Sequence, residues 1–139
     1  MNTTDPPCTP ENQRMTPAEF RVAREFLGLS GPWLAAHLGV SDRTQRHWEA
    51  GRYPIPDGVR LEIERLQADT AQHVTAHIKH MMDTPAPVML TYATDEQYHA
   101  AHPDSPYPAS WHRAVAARVS QEMPGLSIAY PRAEEGDQS

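Results

Sequence analysis

A chain of 139 residues with 39 % hydrophobic content suits one domain, or a small domain with an appendage, and can bury a modest core. Its net charge of −6 argues against a general nucleic-acid coat protein, and no apolar run approaches the ~18 residues of a membrane span. The lone Cys8 excludes an internal disulfide framework and suits a reducing cytoplasm, and the polar N-terminus lacks the apolar stretch of a secretory signal.

Residues 1–13 are polar and proline-rich and read as a disordered arm. In "TPAEFRVAREFLG" Thr16 caps a helix, Pro17 suits its first position and Glu19 completes a capping box. Phe20, Ala23, Phe26 and Leu27 share one face, and Gly28 ends the helix. A second short helix starts at Ser30 and stops at Gly39; Ser41 then caps a third, Asp42 to Ala50, stopped by Gly51. Two short helices around a Gly-Val-Ser turn have the layout of a helix-turn-helix, so 14–55 reads as a DNA-binding domain. After "RYPIP" a long helix is expected over 56–83, linking the two parts. Val59, Ile63, Leu66, Thr70, Val74, Ile78 and Met81 form its apolar seam, which would need the C-terminal region or a second chain as cover. Residues 84–130 read as a small α+β dimerisation domain. It would hold a strand Val88 to Ala93, a short helix capped by Thr94, a helix capped by Ser110 and a second strand in "LSIAY". An acidic disordered tail would follow over 131–139.

The charge is unevenly placed. Residues 14–66 carry eight arginines against seven carboxylates, whereas 67–139 carry four cations against nine carboxylates. The cations cluster in "SDRTQRHWEAGR". On a helical wheel Thr44 and Trp48 turn inward, Trp48 toward Phe26 and Leu38, with Gln45 a third candidate for that side, while Asp42, Arg43, Arg46, His47 and Ala50 turn outward. Arginine can bond guanine O6 and N7 together, so Arg43 and Arg46 are candidate base readers, with Asp42, Gln45 and His47 assisting. Arg52, Thr44 and the helix starts at Ser30 and Ser41 suit phosphates.

The stretch "LAAHLGVSDRTQRHWEAG" resembles the helix-turn-helix of the XRE/Cro-repressor class, matching at Leu34, Ala35, Leu38, Gly39, Val40, Ser41, Thr44, Trp48, Glu49 and Gly51. Gln45 departs from it, standing where that class places an apolar core residue. The order that follows, long helix, "PVMLTYATDEQYHAAHPD", then a Trp-containing helix, resembles the YdiL-like group, which includes anti-CRISPR-associated regulators. The resemblance implies a cytoplasmic, bacterial or phage-encoded, dimeric repressor that binds double-stranded DNA at an inverted repeat. Dimerisation would use the C-terminal part: Val74, Ile78, Met81, Leu90, Tyr92 and Trp111 are its candidates. The alternatives are a protein-interaction module of antitoxin-like or polymerase-contacting type, and RNA binding through the same basic face. The repulsion of phosphates by the acidic half would keep that half away from DNA.

His73, His77 and His80 share a helix face, but neither a cysteine nor a clear carboxylate ligand joins them, so they are expected to flank the apolar seam; neither a metal nor a cofactor is expected. His99, His102 and His112 are expected on loops or helix surfaces. A phosphate-binding glycine loop, a nucleophile elbow and HExxH are all missing from the sequence, and Cys8 lacks a positioned base, so an enzyme is not expected.

Overall fold

A computed structural model describes residues 14–132; the expected arm with Cys8 and most of the expected tail lie outside these residues. The described residues are mostly helical: α1 Pro17–Phe26, α2 Gly31–Leu38, α3 Asp42–Glu49, α4 Asp57–Met81, β1 Val88–Leu90, α5 Asp95–Ala101, α6 Ala109–Glu122 and β2 Ser127–Ala129. Among them no helix is long and apolar enough to cross a membrane. The chain forms two compact units. The first holds the described residues up to Glu25 together with Ser30–Leu66; the second holds Phe26–Leu29 together with the described residues from Gln67 onward. The helix α4 therefore contributes residues to both units.

The first unit is built by reciprocal caps. The Thr16 N–H donates to Glu19 Oε1 at 2.9 Å, and the Glu19 N–H donates back to Thr16 Oγ1 at 3.0 Å, a capping box that satisfies two orphan donors. Ser30 accepts from the Trp33 N–H at 3.1 Å and starts α2, with Pro32 in its first turn. Gly39 takes the left-handed conformation (φ 75°) that a side chain resists, and the amides of Gly39 and Val40 close on the carbonyls of Ala36 and Ala35. Phe20, Leu34, Ala35 and Ile63 are fully buried, and Trp48 is 6 % exposed with its ring edge-on to Phe20 at 6.1 Å. Trp48 thus rests on Phe20, not on Phe26 as the helical wheel implies. Phe26 is 55 % exposed, and the Arg118 guanidinium lies 4.6 Å from its ring centre.

The second unit is organised by Trp111. Its Nε1–H donates to Thr70 Oγ1 at 2.9 Å, its ring stacks on Tyr107 at 3.9 Å, and His73 meets it edge-on at 5.0 Å. Thr70 is the one polar residue in the apolar seam, and this bond is why burying it is tolerated. The two strands pair in parallel, Val88 opposite Ser127 and Leu90 opposite Ala129; the first strand is shorter than the expected Val88 to Ala93. The helix α6 begins two residues earlier than expected, after Pro108. The Ala109 N–H is satisfied by Asp95 Oδ1 at 2.8 Å, which leaves Ser110 to donate to the Gly28 carbonyl at 2.5 Å instead of capping. Gly28 admits no side chain there: φ is 72° and a Cβ would lie 2.4 Å from the Ser110 carbonyl oxygen.

His112 is buried, not on the helix surface. Its Nδ1 shares a proton with Thr91 Oγ1 at 2.9 Å, and rings of Tyr92, Tyr98, Trp111, His77 and His102 enclose it. Burial, with smaller repulsions from His77, His102 and His73, pushes the imidazole down to about 4. The unfolded chain therefore takes up a proton below the ordinary histidine range that the folded chain refuses. We expect stability to be level above about pH 6.5 and to fall by about 2 kcal/mol as pH drops from there toward 4. His112→Gln should flatten most of that slope in urea melts recorded across this range.

Candidate nucleic-acid interface

The helix α3 carries the candidate site, and its position is set at both ends. Ser41 Oγ accepts from the Thr44 N–H at 3.1 Å and donates to Thr44 Oγ1 at 3.0 Å. Both hydroxyls are therefore engaged in the cap. Pro32 carries no N–H and Ser30 takes that of Trp33, so α2 offers a phosphate the Gly31 N–H, while α3 offers those of Asp42 and Arg43. At the other end Gly51 (φ 79°) donates to the Trp48 carbonyl at 3.2 Å, and the Arg52 N–H donates to the His47 carbonyl at 2.9 Å. This pair of bonds is a Schellman motif, which folds the chain back along the helix it has just left.

The inward side of α3 holds Trp48 and Gln45, which are 6 % and 3 % exposed. Gln45 is therefore not a base reader. Its Nε2 donates to a Glu49 carboxylate oxygen one turn on, and its Oε1 lies where a Cβ on Gly31 would stand, 2.7 Å away. Glu49 is also gripped by Arg24 of α1, with Nε to Oε2 at 2.5 Å and Nη2 to Oε1 at 3.1 Å. The polar departure from the apolar pattern is thus satisfied by a forked, shielded ion pair. Arg24 and Glu49 were not visible as partners in the sequence, because 25 residues separate them. The i, i+4 spacing of Gln45 and Glu49 was the available clue.

The outward side behaves differently. Asp42, Arg43, Arg46 and Arg52 are exposed, and His47 is half-buried. Elsewhere in the first unit Arg21 pairs with Glu25, Arg60 with Glu64 and Arg65 with Glu62. Arg43, Arg46 and Arg52 reach no carboxylate among the described residues. Their charge is felt locally: partial desolvation first, then repulsion from Arg43, Arg52 and Arg46, hold the His47 imidazole below its ordinary range. The His47 ring meets Tyr53, 56 % exposed, at 5.2 Å and 62°.

The expected dimer residues fare less well. Val74, Met81, Tyr92 and Trp111 are 8 %, 7 %, 7 % and 2 % exposed within the single chain, and Ile78 is half-buried, so they have little left to offer a partner. The seam finds its cover within the chain. Leu90 is 46 % exposed and Val88 55 %; both lie on one face of β1, with buried Met89 on the other.

These features define a mostly helical chain that presents uncompensated arginines on one short, doubly anchored helix. Residues 19–123 match the family model described as Aca2/YdiL-like, and the chain belongs to that family. It is 31 % identical over 113 residues to the Aca2 repressor of Pectobacterium phage ZF40, covering 81 % of this chain and 91 % of that protein.

Glu49→Ala would leave Arg24 and Gln45 shielded without their acceptor. We expect it to lower unfolding free energy by about 2–3 kcal/mol in chemical denaturation, with Glu49→Gln losing less because one acceptor oxygen is kept.

Proposed function

We propose that the chain is a sequence-specific, DNA-binding transcription regulator, a dimeric repressor that occupies an inverted repeat near a promoter. The observation that carries this reading is the set of three arginines on and beside α3 that reach no carboxylate among the described residues, in a unit where Arg21, Arg24, Arg60 and Arg65 are each paired. Unpaired cations held together repel one another, and a phosphate backbone relieves that repulsion. The helices α2 and α3 with their three-residue turn form a helix-turn-helix, whose second helix enters the major groove. Arg43 and Arg46 read base edges with His47 and Asp42 beside them. Arg52 and the backbone N–H groups at the starts of α2 and α3 fix the register on phosphates. The repressor named in the related phage protein supports the same direction. The role is one of binding, without a reaction.

A single helix of this length touches few base pairs, so a second copy is needed to read a palindrome. The apolar face of β1, Val88 with Leu90, is the surface this reading assigns to that copy, replacing the buried seam. The double variant Val88→Glu, Leu90→Glu should sediment as a monomer and lose tenfold or more in affinity for a palindromic duplex, roughly the gain that linked sites provide. A variant pair that stays dimeric would place the interface elsewhere.

Base readers and phosphate contacts separate by experiment. Arg46→Ala should cost roughly 1–3 kcal/mol on a preferred duplex and relax the choice of base at one position. Arg52→Ala should weaken all duplexes alike and reduce the salt slope by about one. Mobility shifts on selected and scrambled duplexes at several salt concentrations report both. Competition by a hairpin RNA that matched the preferred duplex would transfer the face to RNA.

A further inference from the structure

Tyr53 follows α3 and has no role in the pattern of cations, yet it sits against His47, which lies beside them. The Schellman bonds at Gly51 and Arg52 give it a fixed place beside His47 rather than a loose one. More than half of its surface is open, so it is not there to fill the core of its unit. A large aromatic left open at the end of α3 costs exposed apolar area, and among the described residues its ring meets that of His47. An imidazole on an open helix face rotates freely. It must lose that freedom before it can offer one nitrogen to a base.

Resting on the DNA-binding reading above, we propose that Tyr53 is a positioning residue for base recognition: its ring holds the His47 imidazole at a set angle beside Arg43 and Arg46, so that His47 discriminates sequence. The neutral state favoured by desolvation and then by the surrounding arginines gives the imidazole one donor and one acceptor, which suits a base edge better than a phosphate. Tyr53 acts through His47, and the two side chains form one unit of specificity. The phosphate contacts are independent of it.

The test uses the full chain, a duplex selected by it from a random-sequence pool, and a scrambled duplex of equal length. Tyr53→Ala should lose about tenfold on the selected duplex and less than about twofold on the scrambled one, the signature of a base-reading contact. Tyr53→Phe keeps the ring and should restore binding to within about twofold. In a His47→Ala background, Tyr53→Ala should add less than about twofold, because coupled residues are not additive. Equal losses on both duplexes, a loss additive with His47→Ala, or a failure of Tyr53→Phe to rescue would each overturn the assignment. So would a fall of more than about 5 °C in the melting temperature of Tyr53→Ala, which would mark a packing residue. If Arg46→Ala and Arg52→Ala weaken binding while Tyr53→Ala does not, this inference alone fails. If the wild-type chain prefers no duplex, the DNA-binding reading fails and takes this one with it.

Discussion

The rotation of α3 about its own axis is the constraint on which the rest depends. An eight-residue helix has little length from which to derive stability, and a quarter turn would carry its arginines from solvent into the core. Two contacts of different kinds prevent this. Trp48 rests edge-on against Phe20, which fixes depth, and Glu49 is forked between Arg24 and Gln45, which fixes direction. An apolar contact alone tolerates sliding; a bidentate ion pair does not. The outward positions of Arg43 and Arg46 follow from this inward grip.

The distribution of ion pairs expresses the same division. Glu25, Glu62 and Glu64 each neutralise an arginine of their own helix at three- or four-residue spacing. On α3, Glu49 is turned inward and committed to Arg24, while Asp42, one turn before Arg46 on the outward face, forms no ion pair among the described residues. A carboxylate held in the core is unable to quench the surface, so the inward turn of Glu49 leaves the outward arginines with one acid fewer.

Much of the first unit was legible because its signals are local. Thr16 with Glu19, Ser30, Ser41, Gly39 and Gly51 act on neighbours within a turn, and each performs the structural task its residue type suggests. The apolar seam of α4 was legible as a periodicity, and Ile63, Leu66, Thr70, Val74 and Met81 are all buried. What covers a seam is a question about distant residues, and periodicity holds no answer to it. For that reason Phe26 was turned inward and His112 was left on the surface. Gln45 shows the limit most clearly. A polar residue on an inner face reads as an anomaly until Arg24 and Glu49 supply the charge network that satisfies it. Of the candidate site, the arginines were legible as a cluster, while Tyr53 was not, because a turn rather than a helical period brings it to His47.

The short segment Phe26–Leu29 has a consequence for how such a chain can evolve. It lies in sequence between two parts of the first unit, yet it packs with the second, where Leu27 and Leu29 are 0 % and 2 % exposed. The polypeptide therefore passes from one unit to the other three times, counting its passage along α4. Neither unit is a contiguous stretch, and a cut within α4 would strip both leucines of their cover. Recombination that exchanges modules at a single joint has no suitable place to act here. Descendants of this chain are bound to change by point substitution, with both units inherited together.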